Sequence, residues 1–114
     1  MLQTLEYGPG GLPAAEIQRS VDEFWAEYER DPVLREETAR VNAGISSVDL
    51  AGRAALVRVR PRGSGFDAAT VGLIVAFAPA GNAIAISVWK DVLLPWIKRQ
   101  RGEDAVGSEE PRKP

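Results

Sequence analysis

Cysteine and histidine are both absent from this 114-residue chain. Their absence removes disulfide frameworks, thiol nucleophiles, the usual zinc ligands and the side chain that most often serves as general base near neutral pH. A metal or cysteine enzyme is therefore not expected, and no cofactor or catalytic residue is implied. Lack of cysteine does not assign a compartment, because a disulfide-free protein suits either redox side. The N-terminus, Met1 to Gly11, carries Glu6 and no basic residue ahead of an apolar run. It does not read as a secretory signal, and the expected location is cytoplasmic. One further absence is local: no residue from Ala68 to Trp89 is charged, in a chain that is 26% Asp, Glu, Lys and Arg.

The length suits one domain with one core and is too short for two ordinary domains. The net charge of −2 conceals a segregation. Residues 14–44 hold eight acids and four bases, whereas residues 53–62 hold Arg53, Arg58, Arg60 and Arg62 with no acid. An acidic helical layer lying against or beside a basic strand is the expected consequence, orienting rather than holding the fold, since exposed pairs contribute about 0–1 kcal/mol each.

From Pro13 to Arg30, Ile17, Val21, Phe24, Trp25 and Tyr28 recur at spacings of three and four, which predicts one face of an amphipathic helix. Asp31 as N-cap and Pro32 at the first helical position open a second helix, through about Asn42, with Val33, Leu34 and Val41 on its weaker apolar side. Glu36 and Arg40 are spaced to pair along it. Gly44 is expected to end that helix and Gly52 to mark a turn. Between Ala54 and Arg60, Ala55, Val57 and Val59 alternate with Leu56, Arg58 and Arg60, the period of a half-buried strand stopped by Pro61 and Gly63-Ser64-Gly65. Ile45 to Leu50 is a candidate partner strand.

The uncharged run admits three readings. As helices, Asp67 caps a segment to Ala78, and after the turn at Pro79 to Asn82 a second helix aligns Ala85, Trp89, Val92, Leu93, Trp96 and Ile97 in one stripe. That helix would end at Lys98-Arg99-Gln100-Arg101-Gly102, with cations in its last turn and a glycine after it, and Pro95 would kink it or mark where its last portion begins. As a β-hairpin, Val71, Leu73, Val75 and Phe77 share a face with Ile84, Ile86 and Val88 across the same turn. As a membrane span, Val71 to Trp89 fills the roughly 20 residues needed, with a basic cluster beyond. Pro79, Gly81 and Asn82 fall at the middle of that span and count against it.

The expected architecture is α+β: a small single domain over 13–102 with amphipathic N-terminal helices, short central strands and an apolar C-terminal helical pair, the alternative being a C-terminal hairpin plus helix. Residues 1–12 would be an N-terminal arm and 103–114 a disordered tail.

Asp22, Glu23, Glu27 and Glu29 lie within helical reach of one another, but a solvated helix face explains them. Arg53, Arg58, Arg60 and Arg62 have no interleaved aromatics, and the acidic total argues against a nucleic-acid site. Neither glycine cluster has a phosphate-loop context. Tryptophans on an apolar helix face are core or interface anchors. If so small a domain leaves that face uncovered, Trp89, Val92, Leu93, Trp96 and Ile97 form the contact surface for a protein partner or a second copy of the chain.

Phe24-Trp25 through Asp31-Pro32-Val33-Leu34-Arg35, followed by an apolar segment ending in Trp96-Ile97-Lys98-Arg99-Gln100-Arg101, resembles the effector-associated constant component of bacterial conflict systems. Those small proteins carry a W…DPxLR helix and a late WLxxR helix. The resemblance covers about half the chain; the second helix after Asp31-Pro32, Pro95 and the lack of an evident strand after the basic helix end depart from the pattern. It implies a non-catalytic accessory or protein–protein interaction module encoded with NTPase or protease effectors, and supplies no catalytic residues. The alternative is a small membrane-anchored protein with a span near 68–89.

Overall fold

The computed structural model describes residues 4–48, 50–62, 72–78 and 82–110. The chain is α+β. In order it forms β1 (Thr4–Tyr7), α1 (Ala14–Arg30), α2 (Pro32–Val41), a 3₁₀ turn (Ala43–Ser47), α3 (Leu50–Leu56), β2 (Val57–Pro61) and β3 (Leu73–Phe77). A helical rod follows, made of α4 (Asn82–Val88), a π-helical turn (Trp89–Leu93) and α5 (Leu94–Arg101), and β4 (Glu109–Glu110) comes last. The strands make one antiparallel sheet in the order β2-β3-β1-β4.

The register explains which face is buried. Val59 and Leu5 both stand opposite Val75, while Tyr7 stands opposite Leu73 and Val57 opposite Phe77. Because side chains alternate across a strand, these residues share the face that meets α1 and the rod. Ile17, Val21, Phe24, Trp25 and Tyr28 of α1 are all buried there, as the helical spacing predicts. So is the rod's stripe of Ala85, Trp89, Val92, Leu93, Trp96 and Ile97. Each large apolar side chain sealed in this layer contributes about 1.5–3 kcal/mol. The indole N–H of Trp89 donates to the Tyr7 hydroxyl at 2.8 Å, inside the core, and the two rings meet edge to face at 6.0 Å.

Pro95 lies inside the rod rather than at its end. Having no N–H, it leaves a carbonyl one turn back without its donor, and its ring crowds that turn. The backbone accommodates this just upstream by widening to the π turn, in which the Leu94 N–H reaches back to the Trp89 carbonyl.

Several expectations are corrected. The uncharged run is neither a helical pair nor a hairpin: Leu73–Phe77 is a strand with Leu73, Val75 and Phe77 buried, and helix begins at Asn82. Residues 63–71 and 79–81, including Gly63-Ser64-Gly65 and the expected cap at Asp67 and turn at Pro79, lie outside the described residues. Among the described residues, no helix is long and apolar enough to cross a membrane. Ile45 is buried in a 3₁₀ turn rather than a strand; Gly44 lies within that turn, and Gly52 within α3. The acidic helix meets the basic segment through Arg53, whose Nη1 lies 2.6 Å from Glu29. Arg58 and Arg60 instead point to the opposite, exposed face of the sheet. On that face Arg62 spans Glu6, at 3.2 Å, and Glu110.

The described segments nearest each terminus are also structural. Residues 4–7 form an interior strand of the sheet rather than an arm, and residues 103–110 form a strap rather than a disordered tail. The strap is held by main-chain bonds from Gly8 to Ser108 (2.9 Å), Gly11 to Asp104 (2.6 Å) and Leu12 to Ala105 (3.3 Å), with Ala105 and Val106 buried. Gly107 lies so close to the opposing segment that a Cβ there would collide with the carbonyl oxygens of Gly8 and Pro9.

The β2 edge is closed by chemistry. Main-chain bonds join Leu56 to Ala78 and Arg62 to Gly72. By the antiparallel alternation, the backbone positions at 57, 59 and 61 therefore face away from β3. The Val59 N–H is taken by the Gln18 side chain at 2.7 Å, and Pro61 has no N–H to offer.

Gly107→Ala is expected to cost about 1–3 kcal/mol through overpacking, seen as a lowered urea midpoint; an unchanged midpoint would mean the strap does not hold the fold. Burial raises the Tyr7 pKa from 10.0 to about 12, with Glu109 adding to the rise and the Trp89 bond opposing it. The unfolded chain then loses this proton at lower pH than the folded chain, so stability falls as pH rises from 10 to about 12. Tyr7→Phe should flatten that part of a denaturation-versus-pH profile, while lowering stability at neutral pH by about 1–3 kcal/mol because Trp89 loses its acceptor.

Candidate partner-binding cleft

The Asp31-Pro32-Val33-Leu34-Arg35 segment builds an elbow between α1 and α2. Asp31 Oδ1 accepts the Val33 N–H at 2.9 Å, and Pro32 occupies the first turn, where a missing N–H costs nothing. Arg35 turns back and donates through Nη1 to the carbonyls of Tyr28 (2.8 Å) and Glu29 (2.7 Å), capping the end of α1. The far end of α2 is pinned differently. Asn42 Oδ1 accepts the Gly44 N–H at 2.9 Å, while its Nδ2 donates to Ser87 Oγ at 3.0 Å and Asp91 Oδ2 at 3.4 Å on the rod.

Held at both ends, α2 stands off the rod between them. The result is a cleft of about 310 Å³ lined by Phe24, Leu34, Thr38, Val41, Val92 and Trp96, with Glu37, Asp91 and Arg99 completing its wall. A second depression shares Leu34 and Trp96 with the first and is lined further by Glu23, Ala26, Glu27, Arg30, Asp31 and Gln100. Thr38 spends its hydroxyl within α2, donating to the carbonyls of Leu34 (2.8 Å) and Arg35 (3.1 Å). The π turn contributes Asp91 and Val92 to the same cleft.

The expected contact surface requires correction. Trp89, Leu93 and Ile97 are fully buried core residues of the single chain, covered by its own sheet and α1. Val92 and Trp96 are also buried, at 5% and 9% exposure, but their exposed edges line the cleft. The missed residues are Leu34, Glu37, Thr38, Val41, Asp91 and Arg99. Leu34 and Val41 stand seven apart, two helical turns, with Thr38 between, so the stripe was present in the sequence. Val33 does not share it and is 59% exposed; Val41, at 62%, stands at the cleft's rim.

Most of the remaining candidates have local partners, Glu23 having none among the described residues. Asp22 accepts from Gln18, Glu27 pairs with Arg30, Glu29 with Arg53, and Glu36 with Arg40 at 2.7 Å. Arg53 lies over the Trp25 and Tyr28 rings, 5.6 and 4.9 Å from their centroids, a cation–π arrangement at the edge of the core. Among the described residues no group of three or more acidic side chains is placed to hold a metal ion. No protein-family model, curated protein or solved structure matches this chain.

Trp96→Ala should cost about 3–5 kcal/mol, as removal of a large core aromatic does, with loss of near-ultraviolet circular dichroism. Leu34→Gln, at a half-buried wall position, should cost about 1 kcal/mol or less and keep the native spectrum. Equal losses from the two would show that Leu34 belongs to the core and not to a surface.

Proposed function

We propose that this chain is a non-catalytic accessory module of a bacterial conflict system, acting in the cytoplasm by binding another protein through the α2/α5 cleft. The observation that carries this reading is convergence. The two motif halves behind the resemblance to effector-associated constant components are far apart in sequence, yet Leu34 of the first and Trp96 of the second line one cleft. The other motif residues in the first half, Asp31, Pro32 and Arg35, set the elbow that opens it. A strand after the basic helix end, which that pattern carries, has a counterpart in β4. An apolar-floored groove with a polar rim is also the form in which helical domains receive a partner's anchor side chains.

The reading is tested by site-specific photo-crosslinking in the cells that make the protein. A crosslinking amino acid in place of Val41 should capture a discrete partner that Leu34→Gln abolishes, while the same group in place of Arg60, on the outer sheet face, should not. Equal capture from both positions, or capture indifferent to Leu34, would overturn it.

A further inference from the structure

We propose that the cleft receives a cationic amphipathic helix of the partner protein. This inference rests on the cleft being the contact site and adds the chemistry of what fills it. Charge points to the sign of the occupant. The two adjoining depressions present five carboxylates, on Glu23, Glu27, Asp31, Glu37 and Asp91, against the guanidinium groups of Arg30 and Arg99. Glu27 is already paired with Arg30 at 3.1 Å. Glu23 and Glu37 have no ion-pair or hydrogen-bond partner among the described residues, and they stand on opposite sides of the ridge formed by Leu34 and Trp96. A segment lying across that ridge brings both within reach of its own flanking charges, which favours lysine and arginine and steers encounter with basic surfaces.

Shape and hydrogen bonding point to a helix. The cleft's 310 Å³ is about twice the ~150 Å³ cavity that holds a benzene ring, so two apolar side chains fit, as the i and i+3 or i+4 anchors of a helix present them. An extended peptide would need main-chain partners. The walls are α1, α2 and the rod; apart from the carbonyl that Pro95 leaves without a donor, their interior amides and carbonyls are bonded within their own helices, so a strand laid here finds no ladder to join. A helix satisfies its own backbone and needs none.

A second copy of this chain is a poor occupant. The apolar stripes of α1 and the rod are buried in its own core, and α2 carries Glu36 and Glu37 beside Arg35 and Arg40. No free cationic amphipathic helix is present among the described residues.

The test uses three synthetic four-turn helical peptides of one length: leucine anchors with lysine elsewhere, leucine anchors with glutamate, and serine in place of the anchors with lysine retained. Each is titrated calorimetrically against the full chain and two variants. The leucine–lysine peptide should bind, about tenfold more weakly to Leu34→Gln, equivalent to about 1.4 kcal/mol. It should bind roughly three- to tenfold more weakly to Glu23→Gln/Glu37→Gln, whose substitutions are on the helix surface and leave the fold in place. Equal binding of the leucine–glutamate peptide overturns the cationic assignment and leaves the cleft reading standing. Equal binding of the serine–lysine peptide shows charge adhesion alone and also overturns it. If no leucine–lysine binding is seen while crosslinking at position 41 succeeds, this inference fails; if both fail, the function proposed above fails with it. Concentration-dependent dimerisation broken by Leu34→Gln, followed by sedimentation, would make a second copy the occupant and overturn the proposal.

Discussion

The hydrogen bond between the Trp89 indole and the Tyr7 hydroxyl joins the helical rod to β1 inside the core. Both groups are almost fully buried, where an unpaired donor costs about 1–3 kcal/mol, so each fixes the position of the other. Trp89 sets the rotation of the rod; Tyr7 sets the register of β1 against β3 on one side and β4 on the other. Once β1 is placed, the strap from Asp104 to Ser108 has its backbone partners. Once the rod is placed, α1 and α2 have a wall to pack against. The pairing of residues 4–12 with residues 104–110 is thus a condition of the core.

That dependence also explains what was legible in the sequence. The α1 stripe was legible because five apolar residues at helical spacing declare a face, and each is buried. The rod that begins within the uncharged run and continues past it matches the helical one of the three readings, through the spacing of Ala85, Trp89, Val92, Trp96 and Ile97. The first half of that run was ambiguous: Leu73 to Phe77 is a strand only because β1 and β2, distant in sequence, flank it. The strap was unreadable because its order comes from main-chain bonds to residues 8–12, which leave no side-chain signature, and its two buried residues are small and set among charges.

The candidate site divides along the same line. Its motif residues were visible, and the pairing of Glu36 with Arg40 followed from spacing alone. The apolar stripe expected to remain partly uncovered is instead consumed almost entirely by the sheet and α1. What remains outside is set by polar anchors: Arg35 on the carbonyls of α1, and Asn42 on Ser87 and Asp91. The second pairing crosses 45 and 49 positions, a distance over which no periodicity carries information. The cleft is the gap left between those two anchors.

The Gln18 side-chain oxygen seated on the Val59 N–H, with Pro61 beyond it, blunts the β2 edge of the sheet. Open borders are where identical chains add to one another strand by strand, a route that leads to fibres. Here an incoming backbone meets one amide already occupied and one residue with no amide to give. At this edge a second copy of the chain therefore finds no continuous ladder to extend.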